Sequence, residues 1–123
     1  MGGKASRNKG HNEERWVVNA FRAAGLSAER NLSQTRDKGC DVLTDKFAVE
    51  CKRVERLDLP RLIAQAEAQA EQHGLKMMLT FKQSRKPRYM ILRFDEGLEL
   101  LQADAEAAAI ARGEQPEDWE DVD

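Results

Sequence analysis

From Phe47 to Arg53 the chain alternates with a period of two, the repeat that sends successive side chains to opposite faces of a strand. Phe47, Val49 and Cys51 share one face and are apolar, so they belong to a core. Ala48, Glu50 and Lys52 share the other, which sets a carboxylate and an ammonium group side by side on the sheet. Asp41–Thr44 reads as the other arm of a hairpin turning at Asp45-Lys46. Asp41 then lies across from Glu50. Two carboxylates that close repel unless a cation lies between them. An oxygen-rich site of this kind suits Mg²⁺, which takes one or two carboxylates and fills its shell with water and substrate phosphate.

The segments around this hairpin determine the fold class. A helix is expected from a start between Lys9 and Glu13 to about Ala24, with Asn12 as N-cap, Val17, Val18, Phe21 and Ala24 buried, and Gly25 as its end. Glu14 lies on the same helical face as Val17, Val18 and Phe21, so it points toward the sheet and requires a partner there. A short strand is expected at Ala28–Leu32, then a polar loop over Ser33–Gly39. Asp58-Leu59-Pro60 reads as a helix start, and that helix should run to His73, bury Leu59, Leu62, Ile63, Ala66 and Ala70, and stop at Gly74. Lys76–Lys82 and Arg88–Phe94 read as strands, and Glu96–Arg112 as a last helix with Leu98, Leu101, Ala105 and Ala108 inward. The order of helix, strand, hairpin, helix, strand, strand, helix predicts an α/β fold: one mixed central sheet flanked by helices. The expected organisation is a mobile basic N-terminus over 1–9, a domain over 10–112 and an acidic tail over 113–123.

The 123 residues suffice for one domain, and 41% hydrophobic with 34% charged residues argues against general disorder. No apolar run approaches a membrane span, and residues 1–10 lack the apolar stretch of a secretory signal, so no membrane association is expected, and the expected compartment is the cytoplasm, the host's if the source is viral. Cys40 and Cys51 flank the hairpin; a disulfide is conceivable, but two reduced thiols are the preferred reading. The net charge of −2 hides a split. Residues 1–93 carry 19 Lys and Arg against 11 Asp and Glu, whereas 94–123 carry Arg112 alone against 11 acids. A basic body suits a polyanionic partner, although a solvated surface with an acidic end has the same composition.

Asp41…Glu50-x-Lys52 resembles the signature of PD-(D/E)xK nucleases, and Lys9-Gly10-His-Asn-Glu-Glu14-Arg15 resembles a first-helix element of archaeal-type Holliday junction resolvases. Arg30 matches a basic residue often found before the first acid in that group. Cys40 stands where the motif has proline, a departure in backbone shape that removes no metal ligand. The resemblance implies a restriction-endonuclease-like fold. It also implies that Asp41, Glu50 and Glu14 bind metal, with the Cys51 carbonyl as a further ligand. Lys52 would position the attacking water or stabilise charge at phosphorus. The implied cofactor is Mg²⁺, with Mn²⁺ able to substitute. The catalytic set is thus Glu14, Asp41, Glu50 and Lys52. Gln65 and Gln69 are added from a glutamine that related exonucleases carry on the equivalent helix, although surface helix formers look the same.

Read singly, Glu50 and Lys52 are an ordinary salt pair on a half-exposed sheet, and Glu13-Glu14-Arg15 is a helix start. Arg15, Arg30, Arg36, Lys38 and Arg53 are the candidate DNA contacts within a wider basic set that includes Arg22, Arg56, Lys82, Arg85, Lys86 and Arg88. Trp16 and Tyr89 suit either base stacking or packing. The expected activity is metal-dependent, structure-selective cleavage of DNA, with branched DNA and above all the four-way junction as substrate. A homodimer is expected, and Met77, Leu79, Phe81, Tyr89 and Ile91, together with the last helix, offer apolar surface for it. The alternatives are a monomeric nuclease acting on flaps, nicks or duplex, and a non-catalytic DNA-binding subunit.

Overall fold

A computed structural model describes residues 2–32 and 41–114, with side chains from residue 12 onward. The loop expected over 33–39, Cys40 and most of the acidic tail lie outside the described residues. Eight elements follow in order: α1 (Gly2–Ala23), β1 (Glu29–Arg30), β2 (Val42–Leu43), β3 (Phe47–Arg53), α2 (Leu59–His73), β4 (Lys76–Lys82), β5 (Tyr89–Ile91) and α3 (Phe94–Ala111). The chain divides into two compact units, residues 1–92 and 93–123.

In the first unit the five strands form one sheet in chain order. β3 and β4 are parallel and the other neighbours antiparallel, which makes the sheet mixed as expected. The parallel step requires a crossover, and α2 supplies it. Asp58 accepts the Arg61 N–H at the start of α2, and Pro60 occupies the first turn, where its missing N–H costs nothing. Gly74 ends the helix at φ +63°, donating its N–H to the Ala70 and Glu71 carbonyls. The hairpin turn is closed by Thr44, whose N–H donates to the Phe47 carbonyl at 2.9 Å.

Two apolar layers sandwich the sheet. Val17 and Val18 of α1 pack with Ala28, Val42, Phe47, Val49, Cys51 and Met78. Leu62, Ala66 and Ala70 of α2 pack with Ala48, Met77, Leu79 and Phe81 on the opposite face. β3 is therefore covered on both faces, unlike the half-exposed strand on which an ordinary salt pair would sit. Burial of Met77, Leu79 and Phe81 under α2 also corrects their expected part in a dimer face: β4 lies between two paired strands, and its apolar side is used by its own core. Tyr89 is half exposed and stacks on Phe81 at 5.4 Å between ring centres.

α1 begins at Gly2, well before the expected start between Lys9 and Glu13; no proline interrupts residues 2–11, and the helix continues through Gly10. In the second unit α3 leaves Leu98, Leu101, Ala105 and Ala108 exposed, against expectation, and buries Ala109. Within the described residues 93–114 no second element offers a face to cover a stripe. Among the described residues no helix is long and apolar enough to cross a membrane.

Candidate active site

The hairpin register pairs Val42 with Val49, so Asp41 sits one step before the ladder, opposite Glu50. Its backbone is held on both sides: the Asp41 N–H donates to the Val49 carbonyl at 3.1 Å, and the Asp41 carbonyl accepts the Asn31 N–H at 3.0 Å. Its carboxylate turns onto β3 and accepts the Cys51 N–H through Oδ2 at 2.8 Å. Asp41 is thus fixed by three bonds to its two neighbouring segments.

Glu50 is only 3% exposed. Burial, and then the Asp41 carboxylate beside it, push its pKa from the usual carboxylate range up to about 8; Lys52 pulls the other way. The Oε2 atom of Glu50 is buried with no hydrogen-bond partner. Lys52, two residues on along the same face, is half-buried. Glu14 reaches in from α1, buried as its helical face requires, and its pKa is also raised by burial and by Asp41. Arg30 of β1 opposes that shift through an ion pair at 3.2 Å from Nε to Oε1. Cys51 is a buried free thiol whose pKa is pushed upward by burial and by Asp41.

Among the described residues, no three His, Cys, Asp or Glu side chains are gathered as a ready-made metal cage. Mg²⁺ does not require one, because one or two carboxylates suffice when water and phosphate complete its shell. Asp41 and Glu50 could hold such a cation: they are like groups side by side, half-buried and buried, and one has an oxygen left unsatisfied.

The other expected residues separate by surroundings. Arg15 and Arg53 are exposed, whereas Arg30 is engaged by Glu14. Arg36 and Lys38 lie outside the described residues. Gln65 and Gln69 are half-buried on α2, which covers the Ala48 face of β3, and Gln69 Oε1 is buried without a hydrogen-bond partner.

Sequence reading missed Glu13. It is as buried as Glu50, and both its oxygens take bonds from Arg88, at 2.7 Å from Nε and 2.9 Å from Nη2. The Arg88 guanidinium also lies over the Trp16 ring, 3.4 Å from its centre. Adjacent glutamates on a helix leaving the same surface were the available signal.

The fold is shared with a known resolvase. Archaeoglobus fulgidus Hjc, a Holliday junction resolvase from an archaeal hyperthermophile, superposes with a TM-score of 0.52 over 68% of this chain and 72% of its own, at 20% identity. No protein-family profile and no curated protein matches the sequence. The restriction-endonuclease-like architecture expected from the Asp41…Glu50-x-Lys52 segment is therefore present, at low sequence identity to that neighbour.

Proposed function

We propose that this chain hydrolyses phosphodiester bonds in DNA with a divalent cation held by Asp41 and Glu50, and that four-way junctions are its substrate. The observation that carries the proposal is the buried, unsatisfied Oε2 of Glu50 beside a second carboxylate, within reach of the charge of Lys52. Leaving such an atom unpaired is costly unless a bound group completes it. The resemblance adds Glu14, acting directly or through water, and the Cys51 carbonyl as further ligands. When bound, Mg²⁺ supplies Lewis-acid activation of water and neutralises charge at the scissile phosphate. Lys52 then has two tasks, orienting the attacking water and stabilising charge that develops on phosphorus oxygens. The two core layers exclude bulk solvent behind the site, which strengthens both effects.

The choice of junctions rests on the resemblance of the first helix and on the shared fold. Paired cuts in opposed strands need two sites related by a two-fold axis, so the active assembly is a homodimer. The test is a panel of labelled four-way junctions, flaps, nicked and intact duplexes with Mg²⁺ or Mn²⁺, beside light scattering. Paired symmetric incisions near the crossover by a dimer are expected. A monomer cutting flaps or duplex would leave the nuclease and remove the resolvase, and DNA binding without cleavage in either metal would identify a non-catalytic subunit.

A further inference from the structure

Glu13 and Glu14 are consecutive on α1, so their side chains leave the helix about 100° apart. Each is met by an arginine from a different edge of the sheet. Glu14 pairs with Arg30 of the edge strand β1, and Glu13 with Arg88, which directly precedes the opposite edge strand β5. The two pairs are unequal. Arg30 contributes one contact at 3.2 Å, whereas Arg88 makes a two-bond fork at 2.7 and 2.9 Å onto a nearly inaccessible carboxylate. Charge-assisted forks are short, directional and geometrically specific. Trp16, one turn beyond Glu13, closes the guanidinium from the side.

The remaining anchors of α1 are the apolar Val17 and Val18, with Phe21 partly buried, and one bond near its far end, from Arg22 Nε to the Ala28 carbonyl at 2.9 Å. Apolar contacts resist separation but set no bond direction, so they tolerate small rotations of the helix about its axis. The Glu13–Arg88 fork does not. We propose that Arg88, acting through Glu13 and braced by Trp16, is a positioning residue that sets the rotation of α1 and thereby holds Glu14 against Asp41. Without the two-bond fork nothing directional holds this end of the helix in rotation, and Glu13 or its replacement turns toward water. Because Glu14 is rigidly offset from Glu13, the same turn carries it off the Asp41–Glu50 pair.

This inference takes Glu14 as part of the nuclease site proposed above, so its test includes a readout independent of metal and cleavage. In the full chain, the Arg30 Nε–H resonance reports the Glu14–Arg30 pair directly. Glu13→Gln and Arg88→Lys should each shift that resonance and hasten its exchange. Each should also weaken Mn²⁺ binding, followed by electron paramagnetic resonance without DNA, by about tenfold. Raised Mn²⁺ should restore cleavage, DNA affinity in chelator should stay within about twofold, and the double variant should be no worse than the worse single one. Glu13→Gln keeps the shape of the side chain, so it serves if the arginine variant fails to fold. An unchanged Arg30 resonance in either folded variant overturns the positioning role. Loss of DNA affinity with a shallower salt dependence in Arg88→Lys alone would make Arg88 a phosphate contact instead. A wild-type chain that neither binds Mn²⁺ nor cuts removes the nuclease reading, and the Arg30 resonance still decides this one.

Discussion

The acids of the hairpin and the basic residues around them are built on opposite plans. Asp41 is held by two backbone bonds and one carboxylate bond, and Glu50 is buried in a strand covered on both faces. Arg15, Arg53, Arg56, Arg85 and Lys86 are exposed. Holding a carboxylate to a fraction of an ångström takes ladder hydrogen bonds and burial. Gripping a phosphate backbone takes charge on long side chains that can adapt, which burial would prevent. On the proposed function the difference separates chemistry from affinity, and substitutions in the two regions should fail in different ways.

The largest effect should come from the acids. Glu50→Gln or Asp41→Asn removes a charge from the proposed cation site while keeping shape, and cleavage should fall by at least about 10³-fold, equivalent to about 4 kcal/mol of transition-state stabilisation. DNA affinity should change by no more than a small factor. Normal cleavage by both variants with metal present would show that the acids and the basic rim do not divide the work in this way.

The pH dependence of stability sharpens the same contrast without any substrate. Glu50 has its folded-state pKa raised from 4.5 to about 8. The unfolded chain therefore loses that proton first, and between those two values the folded state binds more protons than the unfolded one. Stability must then fall as pH rises from about 4.5 to about 8 and level off above it. A tenfold drop in proton concentration costs about 1.4 kcal/mol in a state that binds one more proton. A loss of about 3 kcal/mol is expected, short of the full value for the window because the proton belongs to a cluster of interacting carboxylates. Glu50→Gln should flatten this slope and be more stable than the parent at pH 8 in chelator. Mg²⁺ should raise the parent at pH 8 and do little for the variant. Urea midpoints across pH measure both, and a parent whose stability rises through this window would show that Glu50 is not held protonated.

Much of the fold is legible in the chain because its signals are local. Period-two alternation marks β3 and its neighbour, and Asp58, Pro60 and Gly74 bound α2 at both ends. The burial of Glu14 follows from its helical phase with Val17 and Val18. What cannot be read is set by contacts distant in sequence. The parallel register of β3 on β4 places α2 over the Ala48 face, and this buries Met77, Leu79 and Phe81, which the chain alone leaves available for a partner. The Glu13–Arg88 pair spans 75 residues, and neither member differs in type from the exposed charges beside it. Apolar spacing places α3, but spacing cannot say whether a facing surface exists. Arg30 suits DNA by its charge alone, yet its geometry engages it with Glu14.

The smallest effect should come from the basic side, and Arg30 makes it diagnostic. Arg15 and Arg53 are exposed at α1 and at the end of β3, on the two elements that carry Glu14 and Glu50. If each neutralises one phosphate, Arg15→Gln with Arg53→Gln should lower the slope of log affinity against log salt by about 1.8 and weaken binding up to about tenfold at moderate salt. Cleavage at saturating DNA should remain, since neither residue holds the acids. Arg30→Gln should behave in the opposite way. Its guanidinium is tied to Glu14, so the salt slope should change little while the Mn²⁺ requirement of cleavage shifts. Fluorescence anisotropy over a salt series, run beside single-turnover cleavage, measures both for the Arg15/Arg53 double variant, its two single variants and Arg30→Gln. A slope lowered as much by Arg30→Gln as by one of the exposed arginines would place Arg30 on the phosphate backbone and erase the boundary between the two regions at that residue.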